Sequence, residues 1–184
     1  MKINIDNIIK DEDSLLKDKS VDVCIPINDE DRTLLLDMLT YVRNSRDEEI
    51  ATRDNLKPAV GIAAPQVGVL KKMIAIVYED EDEETHEYAL VNPTITSHSV
   101  QMAYLENGEA CLSVVNNYDG LVPRYARITV KAYDLIQDKY VVIKASKYFA
   151  IILQHEIDHL HGILYYDHIN KDNPFKEIKD AIVV

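Results

Sequence analysis

The stretch from about Ser146 to Gly162 constrains the fold most, because its pattern is helical and its first turns are apolar on nearly every side. Ser146 is a good N-cap residue, and Gly162 suits the position just after a helix. All six residues from 148 to 153 are aliphatic or aromatic. A helix that is apolar all round is buried. The sequence therefore predicts a helix in the interior, with the rest of the chain packed around it.

The same helix carries His155-Glu156-Ile157-Asp158-His159. Residues four apart lie on one face of a helix, so both imidazoles can bind one ion, with Glu156 on the adjoining flank. Helical zinc sites use this pattern and take the acidic residue as general base. Two histidines could reach this spacing by chance, but unpaired polar groups in a buried helix would be costly. We therefore predict that His155 and His159 bind a metal ion.

A catalytic site of this kind needs a third protein ligand and one open position for water. Tyr165 stands where a metzincin would place its third histidine, and Glu177 lies in a short polar segment. Cys111 is the remaining candidate, although a lone cysteine is more often a small buried hydrophobe. Cys24 has no comparable setting. Cys111 is therefore the preferred third ligand, and a site with another third ligand remains the alternative.

Patterns elsewhere predict helices near the ends of the chain and strands in the middle. An N-cap at Asn28 begins a helix with an apolar stripe from Leu34 to Val42, and the charged residues 47–57 are expected to form a loop. Strands are expected at 72–78, 86–91, 94–101, 127–133 and 140–144, with a break at Asn92-Pro93 and a turn at 134–139. This order favours an α+β fold, with antiparallel β-sheets packed around the central buried helix that carries the HExxH metal motif.

Composition restricts the compartment and the partners. No repeat or linker divides residues 1–184, so we expect a single domain, and the formal net charge of −12 argues against nucleic-acid binding. We expect no membrane span and no secretory signal, because the apolar stretches are short and broken by charge. Two distant cysteines suit a reducing cytoplasm. The acidic run 79–84 is expected to be a solvated loop, since it lacks the alternation and the glycine of a calcium-binding loop.

Three segments form a recognisable set. Residues 60–66 are Val-Gly-Ile-Ala-Ala-Pro-Gln, residues 109–113 are Glu-Ala-Cys-Leu-Ser, and residues 154–160 are Gln-His-Glu-Ile-Asp-His-Leu. In sequence, order and separation they resemble the three motifs of the peptide deformylases, and the similarity runs through nearly the whole chain. The stretch before Pro58, the segment 122–124 and the residues 165–168 are similar to the Gram-positive-type branch of that family.

This resemblance implies hydrolysis of the N-formyl group from N-formylmethionyl peptides of nascent proteins, with release of formate. It implies one divalent metal ion, with Fe²⁺ expected and Zn²⁺, Ni²⁺ or Co²⁺ able to replace it. The implied ligands are Cys111, His155 and His159. Glu156 would carry the proton from water to the leaving amine. The amide of Gln66 and the backbone N–H of Leu112 would stabilise the developing oxyanion.

The resemblance also implies a path for the peptide. Val60 and Gly61 would pair with it as with an added strand, and Ala110 belongs to the same substrate-binding set. Tyr148 and Ile151 are candidates for the wall of the methionine pocket, although plain core packing suits them equally.

The chain departs from the family pattern at two places, because Ala59 and Ala110 replace glycines. Either alanine would be strained if its backbone needed positive φ. By resemblance, Asp158 is expected to pair with Arg124. The remaining histidines are expected to face solvent or to make local hydrogen bonds; they are His86, His98, His161 and His168.

The expected partner is the N-formylmethionyl peptide, and we expect a cytoplasmic monomer. The tail 174–184 is short and nearly neutral, so the basic helix with which some relatives dock on ribosomes is not expected, and a transient ribosome association is left open. Two other hypotheses remain. One is a metallopeptidase that uses the same helix with another third ligand. The other is a non-catalytic protein that binds metal or peptide.

Overall fold

The structure is a computed structural model that describes residues 2–184. Its α-helices are α1 (Asp29–Ser45), α2 (Glu48–Asp54) and α3 (Lys147–His159). Its strands are β1 (Gly61–Ala63), β2 (Met73–Glu79), β3 (Thr85–His98), β4 (Met102–Tyr104), β5 (Arg124–Tyr125), β6 (Arg127–Asp134), β7 (Lys139–Ser146) and β8 (Ile182–Val183). A 3₁₀ turn at Ala64–Val67 follows β1 directly. Within the described residues, no helix is long and apolar enough to cross a membrane.

The strands form two sheets. The larger sheet has the order β1-β2-β3-β6-β7 and is antiparallel throughout. The smaller sheet has the order β5-β4-β8, in which β4 runs antiparallel to β5 but parallel to β8. The expectation of antiparallel sheets is therefore confirmed for the larger sheet and wrong for one pair of the smaller one. β8 joins its sheet from the distant C-terminal tail, so no hairpin fixes its direction.

The larger sheet lies between two helices. Met73, Ala75 and Val77 of β2 pack in the cluster that contains the apolar stripe of α1. Ile74 and Ile76 pack in the cluster that contains α3. Because side chains alternate across a strand, burial of both faces explains why β2 is apolar at every position from Met73 to Val77.

The segment after α1 is helical, so the predicted loop at residues 47–57 is wrong. The side chain of Asp47 accepts a hydrogen bond from the N–H of Ile50 at 2.9 Å and caps α2. Asn55 then adopts a left-handed conformation, with φ of 54°, and ends the helix. The acidic residues that suggested a fraying end instead occupy the first turn of α2, where the helix dipole favours them.

The predicted break at Asn92-Pro93 is also wrong, because β3 runs through it. The pairing of β3 with β6 is irregular between Val91 and Thr94, which accommodates a proline that has no N–H to donate. The side chain of Asn92 bonds both the N–H and the C=O of Val23, each at 2.8 Å. This contact with a distant segment stabilises an irregular strand that local sequence patterns treat as two.

The predicted N-cap at Asn28 is confirmed, since its side chain accepts from the N–H of Asp31 at 2.9 Å. The predicted long helix is confirmed as α3, but Ser146 makes no side-chain cap. α3 ends at His159, before Gly162, where a Cβ would lie 2.3 Å from the carbonyl oxygen of Lys17. α3 packs against strands of both sheets, so its side chains are held from two sides.

Candidate functional site

Side chains from three separate segments meet in one cavity of about 640 Å³. α3 contributes His155 and Glu156, the turn after β1 contributes Gln66, and the β4–β5 loop contributes Cys111. The other predicted site residues that line the cavity are Val60, Gly61, Ala110, Leu112, Tyr148 and Ile151. His159 is not among the residues that line the cavity, and 1% of its surface is exposed. The fold therefore brings together residues that the sequence places far apart.

Cys111, His155 and His159 could hold a metal ion, since their ligand atoms lie within 4.8 Å of one another. The Sγ atom of Cys111 is 3.3 Å from Nε2 of His159. The other two candidates for third ligand are placed differently. Tyr165 accepts a hydrogen bond from the N–H of Tyr118 at 3.1 Å, and Glu177 is exposed in the tail. One thiol and two imidazoles form a donor set that suits a divalent transition metal.

The electrostatics of the site favour a thiolate. Burial raises the pKa of the Cys111 thiol, but the charges and hydrogen bonds of His159 and His155 outweigh burial and hold this pKa well below its ordinary value. Burial likewise lowers the pKa of His155, but Cys111 and Glu109 outweigh it and raise that pKa. Because the thiolate is the form of cysteine that binds metals, Cys111 is suited to ligation and not only to packing.

Glu156 is a buried carboxylate with one unused oxygen. It is 4% exposed, and its Oε2 atom has no hydrogen-bond partner among residues 2–184. Burial raises the pKa of Glu156 to about 7, although His155 and His159 act in the opposite direction. A carboxyl with its pKa near neutral is suited to accept and release a proton.

Gly61 leaves the space that Glu156 occupies. A Cβ atom on Gly61 would lie 2.5 Å from Oε1 of Glu156 and 2.8 Å from its Cδ. Contacts this short are not tolerated, so any side chain at this position would displace the carboxylate. The resemblance implied that Gly61 pairs with the peptide, and the structure adds a steric reason for a glycine here, which depends on how α3 packs against β1.

Hydrogen bonds hold Gln66 with its amide nitrogen directed toward Cys111. Its Oε1 atom accepts from the N–H of Ala63 at 2.8 Å, which fixes the orientation of the amide. Its Nε2 atom donates to Oγ of Ser113 at 3.2 Å and lies 3.5 Å from Sγ of Cys111. Gln66 is 2% exposed, so its amide lies in the interior of the site and not on the surface.

A buried ion-pair network lies behind His155. The expected pair of Asp158 and Arg124 is confirmed. Arg124 also donates two hydrogen bonds to Glu109, at 2.8 and 2.9 Å, and Glu109 lies 2.7 Å from Nδ1 of His155. His168 lies 2.7 Å from Asp158, so the expectation of purely local bonds is wrong for this histidine. Glu109 and His168 were missed as site residues because no sequence spacing links them to the helix.

Glu109 fixes the orientation of a predicted metal ligand. A carboxylate on one ring nitrogen of a histidine leaves the other nitrogen free to bind a metal, and it raises the basicity of the ring. Burial raises the pKa of Glu109, but hydrogen bonds from Arg124 and His155 outweigh burial and lower it to about 2. Glu109 is therefore a buried carboxylate that stays ionised because Arg124 offsets the cost of burying its charge.

We expect Arg124→Met to destabilise the protein by about 3–5 kcal/mol, because it leaves Glu109 as a buried carboxylate without its cation and Asp158 with only His168 beside it. Urea unfolding at neutral pH measures this loss. Arg43→Met is the matched control. Arg43 also makes a double hydrogen bond to a carboxylate, at 2.7 and 2.6 Å from Glu87, but on the surface. The control should lose less than about 1 kcal/mol.

The Arg124 effect should also depend on pH. The pKa of Glu109 is lowered from an ordinary 4.5 to about 2, so its ionised form stabilises the fold above about pH 4.5. That stabilisation disappears as the pH falls from 4.5 toward 2. The difference in unfolding free energy between wild type and Arg124→Met should therefore narrow over this range. Two results would contradict this account. One is an equal loss of unfolding free energy in the Arg124 and Arg43 variants, and the other is a difference between wild type and Arg124→Met that does not change with pH.

Ala59 and Ala110 line the same cavity, and neither has positive φ. The strain considered for them is therefore not present. Ala59 donates its N–H to Oγ of Ser45 at 3.1 Å. The replacement of two family glycines costs no backbone strain at these positions.

Asp80, Glu84 and His86 form a second group of potential ligands. Asp80 and Glu84 lie on the loop between β2 and β3, and His86 is the second residue of β3. Asp80 already accepts from the N–H groups of Asp82 and Glu84, each at 3.0 Å, and lies 2.6 Å from His86. These bonds close a hairpin loop, which agrees with the expected solvated loop.

Comparisons with known proteins identify the family. The model of the polypeptide deformylase family matches residues 5–175. Peptide deformylase 2 of Bacillus subtilis is 45% identical over 182 residues, covering 99% of this chain and 98% of that protein. The peptide deformylase of Ligilactobacillus salivarius is 45% identical over 185 residues, covering 99% of each chain.

A solved structure agrees with these relatives. The Met-Ala-Ser-bound crystal structure of a class I type b peptide deformylase from Acinetobacter baumannii superposes with a TM-score of 0.70 at 29% identity. The match covers 92% of this chain and 100% of that one. Sequence and fold thus agree over nearly the full length, as the three motifs predicted. The chain belongs to the polypeptide deformylase family, whose members are hydrolases that remove the N-formyl group from nascent peptides.

Proposed function

We propose that this protein removes the formyl group from N-formylmethionyl peptides in the cavity between β1, the β4–β5 loop and α3. One observation carries the proposal. Three potential metal ligands lie close to a buried carboxylate and an oriented amide. The ligands are Cys111, His155 and His159, the carboxylate is Glu156, and the amide is Gln66. Hydrolysis of a linear amide needs a polarising centre, a proton carrier and an oxyanion donor, and this set supplies all three.

In this proposal Cys111, His155 and His159 hold one divalent ion, which we expect to be Fe²⁺, with Zn²⁺, Ni²⁺ or Co²⁺ able to replace it. α3 is then the central helix of a single catalytic domain, residues 1–184. When bound, the ion would polarise the formyl carbonyl and lower the pKa of water toward neutrality. Glu109, on Nδ1 of His155, orients that ring for its role.

Glu156 moves the proton. Hydrolysis forms a C–O bond at the formyl carbon and breaks the C–N bond, so the water loses a proton and the amine gains one. The free Oε2 atom of Glu156 and its pKa of about 7 support this role. The Nε2 group of Gln66 and the backbone N–H of Leu112 donate to the oxygen that gains negative charge. The bond from Ala63 to Gln66 sets the direction of that donor before substrate arrives.

In this proposal the peptide lies along Val60 and Gly61, and Ala110, which lines the same cavity, also contacts it. Tyr148 and Ile151 form the apolar wall for the methionine side chain. β1 is an edge strand of the larger sheet, so it has an unpaired side to which a peptide can add. The Acinetobacter baumannii relative with Met-Ala-Ser bound supports a peptide of this kind as ligand.

We further propose that the protein acts in the cytoplasm as a monomer. A strand in the tail, β8, pairs with β4. This part of the chain is therefore used within the fold, which disfavours a role as a ribosome-docking helix.

Release of formate from a formyl-Met peptide by Fe²⁺-loaded protein, prepared without oxygen, tests the proposal. Formate should appear in proportion to the metal content. Stoichiometric metal without turnover would instead support a non-catalytic binding protein. Cleavage of internal peptide bonds without formate release would support a metallopeptidase.

We expect Gly61→Ala to lower kcat about a hundredfold, because its Cβ would push the Glu156 carboxylate out of place by roughly 1 Å. Metal content and cooperative unfolding should be unchanged. The double variant Gly61→Ala/Glu156→Ala is the control. If the clash acts through Glu156, Gly61→Ala should lower kcat little further in a protein that already carries Glu156→Ala. A full additional hundredfold loss in the double variant would show that Gly61 acts by another route.

A further inference from the structure

The mouth of the cavity is positively charged. Four of the residues that line the cavity are Glu, Lys or Arg, and the two carboxylates among them, Glu109 and Glu156, are buried. The other two are cations, Arg46 and Lys57. The chain as a whole carries a formal net charge of −12. The outer cavity therefore differs in charge from the protein as a whole.

Of these two cations, Lys57 is available to a ligand. The guanidinium of Arg46 lies 2.5 Å from a carboxylate oxygen of Glu79 and donates to the carbonyl of Val77 at 2.9 Å. Lys57 is exposed and forms no ion pair within the described residues. Lys10 adds a second positive charge near Lys57. Lys10 donates to the carbonyl of Leu112 at 2.9 Å, and its pKa is lowered by burial first and then by the charge of Lys57.

The chain leads from Lys57 directly to the reacting groups. Pro58 disfavours a helical conformation at Lys57, and four residues on is Gly61, next to Glu156. Four residues span at most about 14 Å when extended. A substrate peptide beside this segment has the same rise per residue. With its formyl group at Glu156, its third or fourth residue comes level with Lys57.

Resting on the proposed function, we propose that Lys57 selects nascent peptides that carry Asp or Glu at the third or fourth position. The amino end of the substrate is blocked by the formyl group, so it brings no positive charge into the cavity. A carboxylate side chain at the mouth would meet an unpaired ammonium, and a lysine side chain would be repelled. The attraction is between exposed charges, so it is modest and sensitive to salt.

The test uses metal-loaded protein and two series of amidated peptides, formyl-Met-Ala-Xaa-Ala and formyl-Met-Ala-Ala-Xaa, with Xaa as Asp, Asn or Lys. We expect kcat/KM for Asp to exceed that for Lys by about fivefold in at least one series at low salt. The difference should lie in KM and should vanish near 1 M salt. Lys57→Glu should reverse the preference. Lys131→Glu, the same charge change on β6 outside the cavity, should keep it.

Equal kcat/KM for Asp and Lys in wild type would overturn the proposal. So would a preference that survives Lys57→Glu, or one lost equally in the Lys131 variant, since overall charge would then be its cause. A preference seen only with free C-terminal carboxylates would also overturn it, because Lys57 would then bind the end of a short peptide. Absence of formate from the neutral Asn peptides would overturn the proposed function instead.

Discussion

Replacing Cys111 with alanine is expected to give a folded protein that retains no metal and releases no measurable formate. Cys111 supplies the one anionic donor of the proposed set, and the two imidazoles that remain lie on a single helix face. A two-histidine site is too weak to hold an ion through purification when a third ligand is missing. Elemental analysis after gel filtration should show the metal content fall from about one per chain to less than about a tenth.

Cys24→Ala is the matched control for this result, because Cys24 is the other free cysteine and is exposed. It should keep both metal and activity. Unfolding of the Cys111 variant must remain cooperative, which we expect because loss of one sulfur from a loop leaves only a small cavity. If Cys111→Ala keeps one metal per chain, the third ligand lies elsewhere and the ligand set proposed here is wrong.

The two histidines were predictable from sequence because the helix itself fixes their relation. His155 and His159 are four residues apart, and helical geometry places them on one face whatever the rest of the chain does. Cys111 is different. It lies 48 residues from His159, so only the complete fold brings the two within 3.3 Å. Its assignment from sequence depended on elimination and on a family motif, and no local pattern could replace these.

The features of the site that the sequence did not predict depend on contacts between distant segments. Glu109 belongs to the second sequence motif, yet its bonds to Arg124 and His155 span 15 and 46 residues. Space for the Glu156 carboxylate depends on Gly61 and on the packing of α3 against β1. Such relations are set by tertiary packing, which propensity and periodicity do not describe.

The two errors in secondary structure have separate physical causes. At α2, the acidic residues after Asp47 fit both a loop and the first turn of a capped helix, and composition does not separate these. At Asn92-Pro93, local rules correctly identify an irregularity, but the side chain of Asn92 bonds Val23 and the strand continues. Local sequence rules therefore identified both positions as special. They did not predict that the first begins a helix or that the second lies within a continuous strand.

Glu156→Ala is expected to leave about one metal ion per chain while lowering kcat by about a hundredfold to ten-thousandfold, the range for loss of a general acid–base group. KM should change less, because the carboxylate serves the proton transfer more than the binding of the peptide. Formate release and metal analysis on the same preparation measure the two quantities together.

Stability separates this interpretation from a structural one. Oε2 of Glu156 is buried and has no hydrogen-bond partner within residues 2–184, so the carboxylate is held at a cost in folding free energy. Glu156→Gln keeps the shape and removes the ability to take a proton. We expect both variants to have the Tm of the wild type or a higher one. A lower Tm would mean that Glu156 stabilises the fold.

Metal content then decides which role Glu156 has. If Glu156→Ala loses metal together with activity, as Cys111→Ala should, Glu156 is a ligand and the general base must be another group. If it keeps metal and still turns over normally, proton transfer does not need this carboxylate. Retained metal, lost turnover and unreduced Tm are expected together only when Glu156 moves the proton, because a ligand, a spectator and a structural residue each change at least one of these results.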